Sequence, residues 1–502
     1  MASSDQTGAG AMMPYAVFLA ASLSLGIATS AAAQVPVPAV TGPVPATVLP
    51  GTPSHDYPFF STNHDIAAQG YVEQEFFIQG TASTYNTPTL ATGSVVDSGH
   101  AYKTRVVVRR PTDPAHFNGT VLVEWYNVTN GFDAENTWFF SWEHILQAGY
   151  AWVGVSAQLV GVNELKTWNP TRYGSLDVTA GGAITNDALD YDIFSQAAAA
   201  VRHPGAVDLL GGLTPRRVIG IGESQSAIRM VPYVNSVDPL TPIYDGFLLL
   251  SAIGGQVRPD VRVPTFKIST EYDVQTGDAS VRQPDEPNFR EWEVAASSHV
   301  DQHLRASREP LELRDLGTSS EAALAPQCQV PLLGTTVQTR YVVGRVEDWL
   351  VSWTSGGPTP PSSPRIQTTQ IGTPGTASVI ARNALGIALG GIQLPGAAAP
   401  TALNVGTGTG PGACVRWGYS IPFSTTQLDQ LYPTYASYVD AVARSAADDT
   451  LHGYIGVGDA QQAILDAIET KIGHPAAGEQ ARYLSAFGQE LAIVPQLDGY
   501  LR

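Results

Sequence analysis

A serine between an apolar strand-like run and a helix-like run is the residue best placed to do chemistry. Residues 218–227 read VIGIGESQSA, with Ser224 at the turn. Such a turn strains the serine backbone and brings strand and helix close together, so small residues must flank it. Gly222 meets this need, and Ser226 stands where a second glycine is usual. The pattern predicts a variant nucleophile elbow with Ser224 attacking a carbonyl carbon; the alternative is an ordinary turn capped by serine.

A serine nucleophile needs a base, and a later histidine should supply it. Where this turn occurs, the catalytic groups follow in the order nucleophile, acid, histidine. His299 comes shortly after the strand-like run 292–296 and should lie in a loop at the carboxyl edge of a sheet. His303 is the alternative, but we expect it on the following helix. His299 is therefore the preferred base.

Two carboxylates compete for the role of the acid that orients this histidine. Glu271 and Asp273 both follow the strand-like run 263–269. Either could accept the imidazole N–H and fix its tautomer. Asp273 lies at the expected distance beyond the strand and is preferred, and Glu271 stays the alternative.

Two groups are predicted to stabilise a developing oxyanion. The backbone N–H of Gln225 begins the helix after the serine and should point toward the reacting carbonyl oxygen. A second donor should come from the loop after the strand 120–125, where we choose Asn127. The alternative for Asn127 is a β-turn without a catalytic role.

The order of the elements that position these residues predicts an α/β fold with a mostly parallel central sheet covered by helices on both faces. Apolar strand-like runs alternate with helical lengths, as parallel sheets require. The predicted strands are 71–78, 102–110, 120–125, 151–156, 217–222, 247–250, 263–269 and 292–296. The predicted helices are 137–148, 191–201, 341–353, 435–446 and 459–472.

Five short strings carry a resemblance to a known group of proteins. They are GESQS at 222–226, VEWYNV at 123–128, EYDV at 271–274, WEVA at 292–295 and GGPTPP at 356–361. Together they resemble large bacterial proteins described only as α/β-hydrolase domain-containing, and the likeness covers nearly the whole chain after residue 60. The resemblance implies the α/β-hydrolase fold, a Ser–acid–His esterase site, and a C-terminal third that packs over that site.

The predicted organisation is a signal peptide at 1–33, an α/β-hydrolase core at 34–310 and a C-terminal accessory or lid region at 311–502. The segment from about residue 12 to 33 has an apolar run and ends in small residues, which predicts secretion to the periplasm or outside the cell. Because residues 1–13 contain no Lys or Arg, an N-terminal membrane anchor is the alternative. No other apolar run is long enough to span a bilayer, so we expect no membrane span in the mature chain.

The cysteine content and the net charge indicate which cofactors and binding partners to expect. The chain has two cysteines, Cys328 and Cys414, and an exported protein would join them in a disulfide. We expect no metal and no organic cofactor. The net charge of −18 lacks a basic cluster, which argues against nucleic acid and anionic membrane surfaces. The oligomeric state is not predicted.

These patterns favour a carboxylic ester hydrolase that acts on a small-molecule ester through an acyl-enzyme. Lactonase, amidase or acyltransferase activity would use the same residues. A non-catalytic binding protein on a hydrolase scaffold is the alternative from another class. A set of aromatic residues after His299 would either line an apolar pocket or join the core, namely Trp349, Trp353, Trp417, Tyr432 and Tyr435.

Overall fold

A computed structural model describes residues 34–329, 334–373 and 376–491 of the 502-residue chain. The predicted signal peptide at 1–33 lies outside the described residues. The main sheet has nine strands, β1 (Ala39–Thr41), β2 (Tyr71–Asn86), β3 (Ser94–Pro111), β4 (Thr120–Trp125), β5 (Ala151–Val155), β6 (Arg217–Glu223), β7 (Gly246–Leu250), β8 (Thr265–Thr270) and β9 (Phe289–Val294). Two small antiparallel pairs follow, β10 (Thr368–Gln370) with β11 (Val379–Ile380), and β12 (Ala402–Val405) with β13 (Tyr419–Pro422).

Helices alternate with these strands and then dominate the last third of the chain. The first group is α1 (Asn136–Gln147), α2 (Leu159–Trp168), α3 (Pro170–Tyr173), α4 (Asp190–Arg202), α5 (Gln225–Pro232), α6 (Glu271–Thr276), α7 (Gln302–Leu316) and α8 (Ser320–Leu324). The second group is α9 (Thr339–Thr354), α10 (Pro395–Ala398), α11 (Cys414–Trp417), α12 (Thr425–Leu431), α13 (Tyr435–Leu451), α14 (Val457–Glu469) and α15 (Glu479–Leu491). Short 3-10 turns occur at Ala67–Gln69, Pro114–His116 and Asp278–Ser280, and a π turn at Tyr233–Val237.

The strand order in the main sheet is β1-β2-β3-β5-β4-β6-β7-β8-β9. The strands from β5 to β9 in this order pair in parallel, whereas β1, β2 and β3 form an antiparallel edge. Every residue of β4, β5, β7 and β8 is buried, because helices cover both faces of a parallel sheet. The predicted fold class is therefore confirmed.

The carboxyl ends of the parallel strands gather the residues that the sequence singled out. Ser224 follows β6, Asp273 lies in the helix that follows β8, and His299 follows β9. Ligands of open α/β sheets bind at this edge, where loops from several strands converge. The topology thus brings together groups that are up to 75 residues apart in the chain.

Residues beyond 310 share the core of the sheet. Val342, Val346 and Leu350 of α9 are fully buried in the same apolar cluster as Leu248 of β7. The C-terminal segment therefore packs on the sheet rather than standing apart from it. The boundary between core and accessory region at residue 310 stays a prediction.

Cys328 and Cys414 form the expected disulfide, which joins residues 86 positions apart. It connects the segment just after α8 to the first residue of α11. Within the described ranges, no helix combines the length and the apolar character that crossing a bilayer requires.

Candidate active site

Ser224 occupies the turn between β6 and α5 in a conformation that residues with a side chain rarely adopt. Its φ is 55° and its ψ is −118°. Its N–H donates to the carbonyl oxygen of Leu250 at 2.9 Å, which fixes the turn against the neighbouring strand β7. Backbone strain of this kind persists only where surrounding structure holds it. The turn has the strained strand–turn–helix form predicted from the sequence.

The small residues that flank the serine explain how the turn closes. A Cβ on Gly222 would lie 2.6 Å from the Sδ of Met230 in α5, so any larger residue there would have to displace Met230. Ser226 is buried, and its Oγ donates to the carbonyl oxygen of Glu223 while accepting from the N–H of Glu223. A serine can therefore replace the usual second glycine, because its hydroxyl bonds to the strand end instead of clashing with it.

His299 reaches the serine from the loop that follows β9. Its Nε2 lies 2.7 Å from the Oγ of Ser224, and its Nδ1 lies 2.9 Å from an Oδ1 oxygen of Asp273. With the ring neutral and its proton on Nδ1, Nδ1–H donates to Asp273 and Nε2 accepts from the serine hydroxyl. This is the arrangement that a general base for a serine nucleophile needs.

The two carboxylate oxygens of Asp273 have different partners: Oδ1 contacts His299, and Oδ2 caps the N-terminus of α6. It is the third residue of α6, where its Oδ2 accepts from the N–H of Thr270 at 2.8 Å, and the Oγ1 of Thr270 accepts from the N–H of Asp273. This capping box locks the side chain in place. Burial alone would raise the pKa of Asp273, but the His299 charge and these hydrogen bonds outweigh burial and lower it.

The two neighbouring carboxylates set the charge preference of the histidine. Burial by itself lowers the pKa of His299, whereas the negative charges of Glu223 and Asp273 raise it, and the net shift is upward. The site therefore favours an imidazolium more than bulk water does. An imidazole that acts as a general base takes this form once it has accepted a proton.

Glu271, the alternative acid, does not contact His299 and serves a different set of partners. One carboxylate oxygen accepts from Arg382 at 2.6 Å and from the N–H of Gly406 at 3.1 Å. The other accepts from the N–H of Ala296, three residues before His299. In this structure Asp273, and not Glu271, contacts the imidazole, whereas Glu271 ties the histidine loop to the C-terminal region.

Of the two predicted oxyanion donors, one is available in this geometry. The N–H of Gln225 is at the first position of α5, and no described residue accepts a hydrogen bond from it. The N–H of Asn127 instead donates to the carbonyl oxygen of Ala134, and its side-chain amide donates to Glu223. In this geometry the backbone and side-chain N–H groups of Asn127 are therefore engaged by other acceptors, and its predicted role as an oxyanion donor stays a prediction.

Glu223 is a site residue that the sequence reasoning left without a role. Its carboxylate is buried, and its Oε1 lies 3.4 Å from the Nε2 of His299. Burial raises its pKa, against the lowering influence of His299 and of the amide of Asn136. The signal that could have found it is a carboxylate placed directly before the nucleophile at the end of an apolar strand.

A cavity of about 550 Å³ opens beside Ser224 and His299. Its wall is built from the loop after β4, the second half of α7, the segment through α8, and α11. The disulfide therefore joins the segment that directly follows α8 to α11, and both of these helices contribute to the wall. The charged side chains that line the cavity away from the serine are Glu164, Arg308, Glu312 and Arg416, and Arg308 pairs with Glu312 at 3.1 Å.

Of the other residues singled out in the sequence, only Trp417 lines this cavity in the described structure. His303 lies on α7, as expected, and pairs with Glu143 rather than with the serine. Trp417 lines the cavity, whereas Trp353, Tyr432 and Tyr435 are buried in packed clusters. In the described part of the chain, no group of three or more His, Cys, Asp or Glu residues could hold a metal ion.

Comparisons with known proteins identify a matching family and several solved structures that resemble part of the chain. The family described as alpha/beta hydrolase domain matches residues 40–465. Among solved structures, an α/β serine hydrolase from Xanthomonas campestris described as lacking a lid is 13% identical, with 49% of this chain and 94% of that chain covered and a TM-score of 0.25. Est1E from Butyrivibrio proteoclasticus is 11% identical, with 47% and 98% covered and a TM-score of 0.26. A serine hydrolase homologue from Coxiella burnetii is 12% identical, with 43% and 93% covered and a TM-score of 0.26. A search of curated proteins by sequence gives no significant match.

Proposed function

Because the chain belongs to the alpha/beta hydrolase domain family, we propose that it is a carboxylic ester hydrolase that forms an acyl-enzyme on Ser224. One observation carries the proposal. The atoms Ser224 Oγ, His299 Nε2, His299 Nδ1 and Asp273 Oδ1 form a continuous chain with contacts of 2.7 and 2.9 Å. Ser224 and His299, at one end of this row of hydrogen-bonded atoms, line a cavity that is large enough for a small ester.

In the acylation step, Ser224 Oγ forms a bond to the ester carbonyl carbon while its proton passes to His299 Nε2. The negative charge that develops on the carbonyl oxygen is stabilised by the N–H of Gln225 at the positive end of α5. When the intermediate collapses, the bond to the alcohol oxygen breaks. The departing alcohol takes the proton from His299, and the acyl group stays on Ser224.

In the deacylation step, water attacks the acyl carbon and gives a proton to His299. The bond to Ser224 Oγ then breaks, the serine oxygen regains the proton, and a carboxylic acid leaves. Asp273 stays charged throughout, because its lowered pKa favours the carboxylate, and it holds the ring in the tautomer that has Nε2 free. No step requires a group that the chain lacks.

The test is the release of free acid and p-nitrophenol from short p-nitrophenyl esters by the purified protein. We expect turnover by the unmodified protein and background rates with Ser224→Ala. Parallel reactions with an added alcohol or amine acceptor separate hydrolysis from acyl transfer, and lactone and amide panels separate the related activities. A folded protein that turns over none of these substrates would favour the alternative of a non-catalytic binding protein.

We also propose that the chain is exported after removal of residues 1–33. The disulfide between Cys328 and Cys414 supports this, because such bonds persist in oxidising compartments. N-terminal sequencing of the protein from its native host should find a mature end near residue 34. An intact N-terminus on membrane-bound protein would favour the anchor instead.

A further inference from the structure

Glu223 is a buried carboxylate beside the proposed catalytic pair, and the mechanism above gives it no task. It is the last residue of β6 and directly precedes Ser224. Its relative exposure is 1%. A carboxylate buried this deeply is costly unless its partners stabilise it. The partners of its two oxygens therefore indicate what it does.

The two oxygens have different surroundings. Oε2 accepts from the side-chain amide of Asn136 at 2.8 Å and from that of Asn127 at 3.2 Å. Oε1 accepts a hydrogen bond from no amide or hydroxyl of the described residues, and its polar neighbour is His299 Nε2 at 3.4 Å. One oxygen thus anchors the side chain while the other is aimed at the ring nitrogen that gains a proton during the reaction.

We propose that Glu223 is a second positioning carboxylate, which stabilises the protonated form of His299 from the Nε2 side while Asp273 stabilises it from the Nδ1 side. The inference rests on the proposed function for its catalytic meaning. Its physical content is independent of turnover: a charge on Glu223 should favour the imidazolium whether or not a substrate is present.

The groups that face the ring decide the sign of the effect. Asp273 and Glu223 are the negative groups, at 2.9 and 3.4 Å from the ring nitrogens. Arg416 is the positive group that opposes them, and the Tyr272 ring lies 5.3 Å from the imidazole centre. Glu223 itself also feels the positive charge of Arg308. Two close carboxylates outweigh one exposed, solvent-screened guanidinium.

Two consequences follow for catalysis. The transition state contains an imidazolium, so loss of the Glu223 charge should slow the chemical step. The resting enzyme needs neutral His299, so the same loss should lower the pH at which activity appears. An opposite charge within about 4–6 Å shifts a pKa by about 1–3 units. A buried glutamine keeps an acceptor for Asn136 but has no charge.

The test compares the unmodified protein with Glu223→Gln by NMR titration of ¹³C-labelled histidine side chains. The His299 signal is assigned by its loss in His299→Gln. We expect the pKa of His299 to fall by about 1 unit or more in Glu223→Gln. In ester turnover, the acid limb of the kcat/KM profile should move to lower pH by the same amount, and kcat should fall about 10-fold, the factor that corresponds to about one pKa unit.

Two further variants separate this role from a purely structural one. Glu347→Gln removes another fully buried carboxyl group whose pKa burial raises, and it should leave the His299 titration unchanged. Glu223→Asp keeps the charge, so the fall in the His299 pKa should be no more than half of that seen in Glu223→Gln. An unchanged or raised His299 pKa in folded Glu223→Gln overturns the inference. Absence of ester turnover by the unmodified protein, with the NMR shift present, overturns the proposed function and leaves the inference standing.

Discussion

Asp273 shows how one side chain can serve both the local fold and the site. Its Oδ2 completes the capping box of α6, and its Oδ1 holds the histidine ring. The helix cap therefore prepares the carboxylate for the ring before any substrate arrives. Glu271, two residues earlier, uses its oxygens for Arg382 and for the backbone N–H groups of Ala296 and Gly406. Neighbouring carboxylates thus have separate tasks.

This division predicts different outcomes for two similar substitutions. Asp273→Asn should lower kcat by about 10³–10⁴-fold, because the amide favours the wrong histidine tautomer, while the fold is retained. Glu271→Gln should lower kcat less than about 10-fold, because its effect on His299 passes only through the loop, but it should reduce the free energy of unfolding by about 1–3 kcal/mol. Steady-state kinetics and urea denaturation of both variants provide the check. A larger loss of kcat in Glu271→Gln would contradict the assignment.

The sequence predicts those site residues that follow strands in the fixed order nucleophile, acid, histidine. It does not predict contacts that depend only on how side chains pack in the folded protein. Ser224 and His299 follow predicted strands, so the parallel sheet places them at one edge. The choice between Asp273 and Glu271 needed coordinates, since both follow the same strand. The hydrogen bond from the N–H of Asn127 to Ala134 could not be foreseen, because nothing in the sequence shows which acceptor this N–H meets.

At the scale of elements, the turn between β6 and α5 requires close contact between strand and helix. The helix packs so close to the strand that a Cβ on Gly222 would lie only 2.6 Å from the Sδ of Met230. The strained φ of Ser224 is maintained by this contact and by the hydrogen bond to Leu250. Widening the contact should therefore move the serine hydroxyl.

Gly222→Ala tests that requirement. The added methyl group must displace Met230 or the α5 backbone, so we expect a loss of about 1–3 kcal/mol in unfolding free energy. Ester turnover should fall at least about 10-fold, since small misplacements of reacting groups are costly. Gly458→Ala is the matched control: its Cβ meets nothing within 4 Å, and an alanine in helix α14 should be neutral or stabilising. Unchanged activity in Gly222→Ala would show that the turn tolerates a wider approach.

The bounds of strands and helices with a clear apolar pattern were predicted well, and the bounds of elements without such a pattern were not. The strand β4 has the predicted bounds, and α4 and α9 differ from prediction by one or two residues at each end. The strands β2 and β3 form a hairpin that extends well past the predicted strand ends. The prediction stopped short because the outer half of the hairpin is largely exposed and its sequence does not alternate between apolar and polar residues. Helix α7 was not bounded in advance, since it is strongly polar and contains Pro310. Tertiary contacts, rather than local pattern, define these parts.

On the scale of the whole molecule, the C-terminal third is joined to the core through buried polar groups as well as apolar ones. Glu347 of α9 is fully buried against α1, where one oxygen accepts from the hydroxyl of Ser141 at 2.7 Å. Its other oxygen has no hydrogen-bond partner. Burial raises the pKa of Glu347 to about 8. The junction therefore favours a protonated carboxyl group.

This junction predicts a pH dependence of stability. The carboxyl is protonated in the folded chain below about pH 8 and ionises in the unfolded chain above about pH 4.3. A rise in pH between these values therefore favours unfolding, by about 1.4 kcal/mol per unit. Glu347→Gln cannot ionise, so its free energy of unfolding relative to the unmodified protein should rise by about 2.5 kcal/mol from pH 5 to pH 7. Chemical denaturation at several pH values measures this difference, and a constant difference would show that the group is not held neutral.

The most direct test of the central claim is the reaction of the whole protein with a fluorophosphonate probe, followed by mass spectrometry of the modified peptide. The account predicts one phosphonylated site at Ser224, with labelling abolished in Ser224→Ala and strongly slowed in His299→Gln. Equal labelling in the folded Ser224→Ala variant, or no labelling of the folded unmodified protein, would contradict the account.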